Sequence, residues 1–319
     1  MYLLPKPKTI KEQDGQMLLC HSTHIVMTKE VAETEMHAAK RLQEAIRQET
    51  GLILPFSVGE VREGDLSLGI AKTLPEQTYE ITIDEKGGQI SGGDGAGVLY
   101  GVETFCQIVQ QCGGILPCVQ IQDAPDMPNR GYYFDQTRGR VLKLEELKKI
   151  ADRMCRYKLN QLQLYVEHTY LFRDFSEMWR DQTPLTAEEI RELDSYCRER
   201  HIELVPSLAS FGHLCTLLST KTYGDLCEME DSWKEPFSFW NRMRYHTINV
   251  SDERSLPLIK KMIAEYMQLF SSNKFNICAD ETFCLGKYKS KKLAEERGVH
   301  RLYIDYVKEL AQFLVENGK

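Results

Sequence analysis

After residue 126, four short apolar segments alternate with amphipathic helical segments, and this alternation limits the possible folds more than any other feature of the sequence. Strands that alternate with helices form a parallel sheet whose crossovers are right-handed. The pattern therefore predicts an α/β fold for this part of the chain. The predicted strands cover residues 131–135, 161–166, 202–208 and 275–279, and the predicted helices cover residues 144–154, 186–200, 257–270 and 302–314.

The first part of the chain has a different pattern and is predicted to be a small α+β domain. A helix over residues 30–50 ends at a glycine, and alternating apolar residues around a Gly-Gly turn predict a hairpin over residues 79–91. The glycines of residues 92–97 lead into a second helix. A tight turn explains them better than a phosphate-binding loop, because the strand–loop–helix unit and the later acidic residue of such a loop are missing. Two prolines at 125 and 128 mark a boundary, which predicts domains of residues 1–126 and 127–319.

The composition argues against several classes of partner and site. The net charge of −7 over 319 residues is spread without basic blocks, which argues against nucleic acid or an anionic membrane as a partner. No apolar run is long enough to span a bilayer, and prolines near the N-terminus interrupt any signal-peptide pattern. The ten cysteines form no C-x-x-C motif. We therefore expect reduced thiols, no bound metal, no cofactor and a cytoplasmic protein.

Polar side chains follow every predicted strand at its carboxyl end. Barrel enzymes build their active sites at this end, because the loops there converge on the barrel axis. We therefore expect these side chains to lie in one site. Taken alone, the acidic pair has an alternative interpretation as a solvated start of the next helix. The side chains are Arg138 after the first strand, Glu167 and His168 after the second, His213 after the third, and Asp280 and Glu281 after the fourth.

The segment over residues 212–251 is long for a strand–helix connection, and long connections are often functional. Its aromatic residues either cover a bound sugar or pack against the rim of the barrel, and the sequence leaves both interpretations open. The segment contains Trp233, Pro236, Phe237, Phe239 and Trp240.

The candidate residues lie in short motifs, namely Asp135-Gln136-Thr137-Arg138, Phe211-Gly212-His213 and residues 276–281. Residues 75–105 and 122–131 add two further stretches. Together they resemble glycoside hydrolase family 20, the β-N-acetylhexosaminidases, over nearly the whole chain. Residues 162–215 are similar to a bacterial, intracellular branch of that family. The resemblance implies a non-catalytic N-terminal domain followed by a TIM (β/α)8 barrel.

The resemblance also implies a role for each acidic residue. Hydrolysis of a glycoside needs an acid for the leaving oxygen and a group that stabilises the oxocarbenium-like centre, and in this family the nucleophile is the substrate's own 2-acetamido oxygen. Glu281 is then the general acid and later the base, and Asp280 holds the acetamido group. The expected substrates are glycans or glycosides that end in β-linked N-acetylglucosamine or N-acetylgalactosamine, cleaved with retention of configuration.

The other candidates receive roles from the same resemblance. Arg138 grips hydroxyls of the terminal sugar, and His213 pairs with Glu281 while Glu167 orients it. His168 is adjacent to Glu167 and is the alternative for that position if the strand alignment shifts by one residue. His168 and Trp240 are further candidates for substrate binding. Each histidine or glutamate here also has a structural interpretation, and Arg138 has one as a surface ion-pair partner.

Two features depart from the family pattern. The family often has an acidic residue four positions before the histidine, where this chain has Ala209. The chain also contains four strand–helix units, whereas a closed barrel needs eight. We therefore expect the first half of the barrel, truncated after its fourth unit and lacking hexosaminidase activity by itself. Its open strand edges near Tyr133 and Ile277 are expected to favour self-association.

Two other classes of function are kept as alternatives. A metal-dependent α/β hydrolase that uses Asp280 and Glu281 would need a third oxygen ligand nearby. A non-catalytic carbohydrate-binding or scaffold half-barrel would need no acid, and the joint presence of Arg138, His213 and the acidic pair argues against it.

Overall fold

The computed structural model describes residues 1–236 and 238–319. Contacts divide the chain into two compact units. Unit 1 comprises Met1–Arg130, Lys149–Asn160 and Cys197–Ile202, and unit 2 comprises Gly131–Lys148, Gln161–Tyr196 and Glu203–Lys319. The sequence pattern did not indicate that two short later segments group with unit 1. The predicted domain division at residue 126 stays a prediction.

Unit 1 is built on a seven-stranded mixed sheet with the strand order β1-β7-β5-β6-β4-β2-β3. The predicted hairpin is β5–β6, and its turn lies at Glu85 and Lys86, slightly earlier than the Gly-Gly pair suggested. The predicted α+β character of this part of the chain is confirmed. The strands are β1 Thr9–Leu18, β2 Ile25–Met27, β3 Phe56–Val58, β4 Leu66–Ile70, β5 Tyr79–Asp84, β6 Gly87–Gly92 and β7 Ile115–Asp123.

The helices of unit 1 are α1 Lys29–Thr34, α2 Met36–Thr50 and α3 Gly95–Cys112. The predicted helix over residues 30–50 is thus two helices, which meet at Glu35. Gly51 ends α2 in the left-handed conformation, with φ of 76°. Such a C-terminal glycine satisfies carbonyl groups of the last turn without a steric penalty.

The glycines around the start of α3 serve close packing. A Cβ atom on Gly93 would lie 1.9 Å from the Pro75 carbonyl oxygen, and one on Gly97 would lie 2.2 Å from that of Thr78. Asp94 caps the helix, because its Oδ1 accepts a hydrogen bond from the Gly97 amide at 2.7 Å. The prediction of a tight turn, rather than a phosphate-binding loop, agrees with these contacts.

Unit 2 contains a parallel three-stranded sheet of β8 Gly131–Asp135, β9 Gln161–Val166 and β10 Glu203–Leu208, in the order β10-β9-β8. In this register Asp135 pairs with Tyr165, and Leu208 pairs with Val166. The carboxyl ends of all three strands therefore meet at one edge of the sheet. The predicted α/β architecture is confirmed.

Helices connect and follow these strands. No helix among residues 1–236 and 238–319 is long and apolar enough to cross a membrane. The helices are α4 Leu144–Arg156, α5 Ser176–Trp179, α6 Ala187–Arg198, α7 Cys215–Leu218, α8 Phe239–Arg244, α9 Ser255–Met267, α10 Lys291–Arg297 and α11 Val299–Glu316, with 3-10 turns at Gly224–Leu226 and Ser232–Lys234.

The predicted capping box begins α6. The Glu189 amide donates to Thr186 Oγ1 at 3.2 Å, and the Thr186 amide donates to Glu189 Oε2 at 2.9 Å. Two amides of the first turn, which have no partner within the helix, are satisfied in this way. The sequence-based prediction of this helix start is confirmed.

The predicted fourth strand, residues 275–279, is present only as a bridge between Ser207 and Asn276. The Leu208 amide donates to the Asn276 carbonyl oxygen at 3.0 Å, so the segment does lie parallel to β10. Cys278 then adopts a φ of 44°, and its amide donates to Asn276 Oδ1 at 3.0 Å. This local turn leaves the extended conformation and ends the pairing. The segment still delivers residues 280 and 281 to the same edge as the other strand ends.

Candidate active site

Three of the predicted residues converge where the strands of unit 2 end. His213 Nε2 lies 3.2 Å from Glu281 Oε2 and 3.6 Å from Asp280 Oδ2. The His213 side chain is only 2% exposed, whereas those of Asp280 and Glu281 are 65% and 40% exposed. The carboxylates thus face solvent on one side and a buried imidazole on the other. In this arrangement a proton can be carried by Glu281 or by His213 beside it, and Glu281 can transfer a proton to a ligand.

The backbone at this point is strained. His213, Cys278 and Glu281 have positive φ angles of 59°, 44° and 51°. A non-glycine residue in this region costs about 1–3 kcal/mol, and such residues persist only where the surroundings hold them. Clusters of them are typical of functional sites.

Contacts between the loops that carry these residues supply that support. A Cβ atom on Gly212 would lie 2.6 Å from the Asp280 carbonyl oxygen and 3.1 Å from that of Glu281, so the two loops touch through their backbones. Ser210 Oγ also donates to the Ile277 carbonyl oxygen at 2.5 Å. Only a glycine at position 212 allows the backbones of the two loops to approach so closely.

Helix α11 holds both loops from the other side. The Tyr303 hydroxyl donates to the Ala279 carbonyl oxygen at 3.0 Å, and the Tyr306 hydroxyl donates to that of Ser210 at 2.8 Å. Both tyrosine rings pack on Phe211, with centroids 5.6 and 4.2 Å from its ring. Sequence reasoning missed these two residues. Their only signal was a spacing of three in the last helix, which an ordinary buried face also gives.

Arg138 lies at the same edge, after β8. Its Nε donates to Asp135 Oδ2 at 2.7 Å, its guanidinium lies over the Tyr165 ring at 4.7 Å, and its Nη1 donates to Met243 Sδ at 3.2 Å. The side chain keeps 24% exposure. Arg138 is therefore fixed in direction while part of its guanidinium still faces solvent.

Glu167 makes no hydrogen bond with His213 among the described residues, so its predicted orientation of His213 has no direct contact behind it and stays a prediction. The carboxylate is 4% exposed, accepts from Arg242 Nη2 at 2.9 Å and accepts from the Tyr165 hydroxyl at 3.1 Å. His213 Nδ1 is buried and has no hydrogen-bond partner among the residues that the structure describes. Arg242 lies in the long loop segment, where sequence spacing gave no sign that it would reach back to β9.

His168 is an internal residue rather than an exposed sugar contact. Its ring is 4% exposed, and Nδ1 lies 3.2 Å from Thr216 Oγ1. Burial, followed by the positive charge of Arg242, lowers the pKa of His168 to about 4. The imidazole is therefore neutral near pH 7. Its predicted role in substrate binding lacks support from this position. Ala209 nearby is fully buried as well.

Trp240 lies on α8, is 60% exposed, and has the Arg244 guanidinium 5.5 Å from its ring. The same helix carries Arg242 and Met243, which contact Glu167 and Arg138. Trp240 is thus available to a ligand beside the strand ends. Trp233 and Phe239 are similarly exposed, and Phe237 lies outside the described residues.

One group among the residues described has the composition of a metal site. The ligand atoms of His213, Asp280 and Glu281 all lie within 4.8 Å of one another. The third candidate ligand is therefore an imidazole nitrogen, whereas the metal-dependent alternative would need a third oxygen ligand.

Comparisons with known proteins agree with this architecture. Residues 1–124 match the profile of "Glycosyl hydrolase family 20, domain 2", and residues 127–319 match "Glycosyl hydrolase family 20, catalytic domain". A beta-hexosaminidase of Porphyromonas gingivalis is 24% identical over 99% of this chain and 44% of its own length. One of Vibrio furnissii is 26% identical over 88% of this chain and 48% of its own length. The chain spans about half the length of these curated relatives.

Solved structures show the same fold. The chitobiase of Flavobacterium johnsoniae matches 99% of this chain with 51% of its own, at a TM-score of 0.84 and 19% identity. A mutant Streptomyces plicatus beta-hexosaminidase in complex with product (GlcNAc) matches 99% of this chain with 64% of its own, at a TM-score of 0.82 and 20% identity. Since the two family profiles together cover nearly every residue, the chain belongs to glycoside hydrolase family 20.

Proposed function

We propose that this chain carries the catalytic acid and the acetamido-binding carboxylate of a β-N-acetylhexosaminidase. The enzyme removes terminal β-linked N-acetylglucosamine or N-acetylgalactosamine from glycans and glycosides with retention of configuration. The observation that carries the proposal is the position of Glu281, half-exposed to a ligand and 3.2 Å from the buried imidazole of His213. The relatives named beta-hexosaminidase support the reaction class.

In this mechanism, Glu281 protonates the leaving oxygen and then deprotonates the attacking water. His213 donates a hydrogen bond from Nε2 to the Glu281 carboxylate and stabilises it once its proton has left. Asp280 holds the N–H of the acetamido group and offsets the positive charge that develops on its nitrogen. Arg138 binds hydroxyls of the same sugar with the part of its guanidinium that faces solvent. Trp240 offers an apolar surface to the sugar or its aglycone.

Leaving-group dependence tests the role of Glu281. In the product of the complete reading frame that contains residues 1–319, Glu281→Gln should lower kcat by about 10²–10⁴-fold for substrates with poor leaving groups. The loss should be much smaller for nitrophenyl glycosides, whose leaving group needs little protonation. Glu295→Gln, at an exposed glutamate, is the matched control. Equal losses for good and poor leaving groups would remove Glu281 from the acid role.

The role of Asp280 is tested with a thiazoline mimic of the bicyclic intermediate. Asp280→Asn should weaken binding of the mimic, because the carboxylate no longer offsets the charge on its nitrogen. Arg138→Ala should instead raise KM by roughly 10–100-fold, which corresponds to one charge-assisted hydrogen bond. If the mimic bound Asp280→Asn as tightly as wild type, the assignment would be wrong.

We also propose that the polypeptide of residues 1–319, studied alone, self-associates and turns over no substrate. Among the described residues, β8 pairs only with β9, and its Tyr132 and Tyr133 side chains are 46% and 50% exposed. A second copy of the chain can add to such an edge. Light scattering after gel filtration should give a mass above that of a monomer, and Tyr132→Lys should lower it. An active monomer would contradict both parts.

We further propose a reducing, cytoplasmic location. All ten cysteines are free thiols in the structure, and most of them are buried. Such usage is typical of proteins kept in a reducing compartment. Cell fractionation with an antibody to the chain tests this, and recovery outside the cytoplasm would refute it.

A further inference from the structure

One imidazole and two carboxylates converge at the strand ends, and this mixed donor set suits divalent first-row transition metals. We infer that His213, Asp280 and Glu281 form a binding site for such an ion, with zinc as the representative, and that the ion competes with the amino sugar for the same carboxylates. The competition rests on the proposed function. The binding does not, since it depends only on the three side chains.

The spacing of the donor atoms fits a small divalent ion. Two ligands bonded at about 2.0–2.1 Å to a tetrahedral zinc ion lie about 3.3–3.4 Å apart. The distances from His213 Nε2 are 3.2 Å to Glu281 Oε2 and 3.6 Å to Asp280 Oδ2. The donor atoms of all three side chains lie within 4.8 Å of one another, and the two carboxylates are exposed and can rotate toward an ion. Three protein ligands leave a fourth position for water, as in many zinc sites that exchange ligands.

The loops that carry the ligands are also held in place before any ion arrives. His213 is buried, and the contact of Gly212 with the backbone of Asp280 and Glu281 fixes the distance between the two loops. Ligands fixed in advance lose little entropy on binding, which strengthens it. The exposed carboxylates give an ion direct access from solvent.

One feature limits the affinity. A histidine bound to a metal usually donates its second N–H to an acceptor, and loss of that partner weakens binding by about 10–100-fold. His213 Nδ1 has no hydrogen-bond partner among the described residues. We therefore expect a dissociation constant on the order of 1–10 µM rather than that of a structural zinc site. Such a site responds to the free metal concentration and does not hold a resident cofactor.

Thiols are the main source of false signals in the test. Cys20 is exposed, and hydrogen bonds from the hydroxyl groups of Ser22 and Thr23 contribute to lowering its pKa to about 7. Its thiolate would bind zinc by itself. The Cys20→Ser background removes this signal. Cobalt(II) then serves as a spectroscopic probe, because thiolate ligands give intense near-ultraviolet bands that nitrogen and oxygen ligands do not.

The experiment is a calorimetric titration of zinc chloride into the Cys20→Ser protein of residues 1–319. We expect one zinc ion to bind per chain at this site. Asp280→Asn and Glu281→Gln, both at exposed positions, should each raise the dissociation constant of that ion at least tenfold. Asp181→Asn, at a carboxylate that is 83% exposed elsewhere in unit 2, should leave that dissociation constant unchanged. Magnesium should show no such difference, because it prefers oxygen ligands in octahedral geometry. Far-ultraviolet circular dichroism verifies that each variant is folded.

Identical zinc isotherms for the parent and both site variants would overturn the inference, as would cobalt spectra with thiolate bands. In the complete gene product, zinc should inhibit hydrolysis competitively, and a chelator should reverse the inhibition. If zinc binds as expected but no hydrolysis is found, the metal site stands and the proposed function fails. If hydrolysis is found but the isotherms are identical, the proposed function stands and the metal site fails.

Discussion

Substitution of Glu167 distinguishes the effects of two contacts. The sequence suggested that Glu167 contacts His213, whereas the structure pairs Glu167 with Arg242. Glu167 is 4% exposed, and its nearest partners are Arg242, at 2.9 Å, and the Tyr165 hydroxyl, at 3.1 Å. Arg138 Nε also lies 3.8 Å from this carboxylate. At an effective dielectric constant of about 20, opposite charges about 3 Å apart attract by roughly 5–6 kcal/mol. Glu167→Gln removes this attraction, but it also removes the free-energy cost of desolvating the carboxylate. The glutamine carbonyl oxygen can still accept a hydrogen bond from Arg242. We therefore expect a net loss of about 2–4 kcal/mol of unfolding free energy, a large part of the usual total.

Urea denaturation followed by circular dichroism measures this loss. The matched control is Asp225→Asn, which breaks an ion pair with Arg254. Both partners of that pair are 57% exposed, so this change should affect stability far less than Glu167→Gln does. The double variant Glu167→Gln/Arg242→Met should be less destabilised than the sum of the single variants, because it leaves no buried charge unpaired. Equal effects of Glu167→Gln and Asp225→Asn would refute the reasoning. A loss of kcat in the complete gene product with unchanged stability would instead favour the predicted orientation of His213 by Glu167.

Three further predictions concern single side chains. Gly212→Ala should lower the free energy of unfolding by about 1–3 kcal/mol and lower kcat of the complete gene product by roughly 10²-fold, because the new Cβ atom would displace Asp280. Gly114→Ala is the control, since its Cβ atom would have 3.5 Å of clearance, and it should be tolerated in the same assays. Burial lowers the pKa of His168 from about 6.5 in the unfolded chain to about 4 in the folded chain. Its contribution to the free energy of unfolding is therefore fully present above pH 6.5, and about 3 kcal/mol of that free energy is lost as the pH falls to 4. His168→Gln should flatten the urea-derived stability profile over that range, and an unchanged profile would contradict the assignment. Thr186→Ala should cost about 1 kcal/mol in the same titration through loss of the α6 cap, whereas Thr183→Ala should cost much less.

The sequence predicted features that depend on local patterns and on general rules of parallel sheets. Asp280, Glu281 and His213 were expected together because strand ends of a parallel sheet share one edge, and the bridge between Asn276 and Ser207 of β10 brings residues 280 and 281 to that edge. The capping box of α6 needed only residues 186–189. The extent of the fourth strand was overestimated because a hydrogen bond from the Cys278 amide to the Asn276 side chain turns the chain, and apolar character alone does not reveal that bond.

The contacts of Glu167 could not be predicted for a different reason. Its partner Arg242 is 75 residues away, in a segment whose sequence pattern predicted no secondary structure. No local sequence feature therefore distinguished Arg242 from Arg244 or from the other arginines. The same holds for Tyr303 and Tyr306, which reach the site from the last helix. Side chains that support a site from distant elements leave no periodic signal, because only one atom of each makes the contact.

These distant contacts explain how strained residues persist at the strand ends. Three positive-φ residues at about 1–3 kcal/mol each would loosen an unsupported loop. Here α11 binds the two loop carbonyls of Ser210 and Ala279, and Gly212 brings the loops into backbone contact. By contrast, Met243 and Arg242 of α8 contact Arg138 and Glu167, which follow β8 and β9, and Trp240 on the same helix stays exposed. The acidic pair is therefore held more firmly than the aromatic segment beside it. Under the proposed function, this arrangement keeps the reacting groups fixed while the aromatic surface proposed to meet a glycan can adapt.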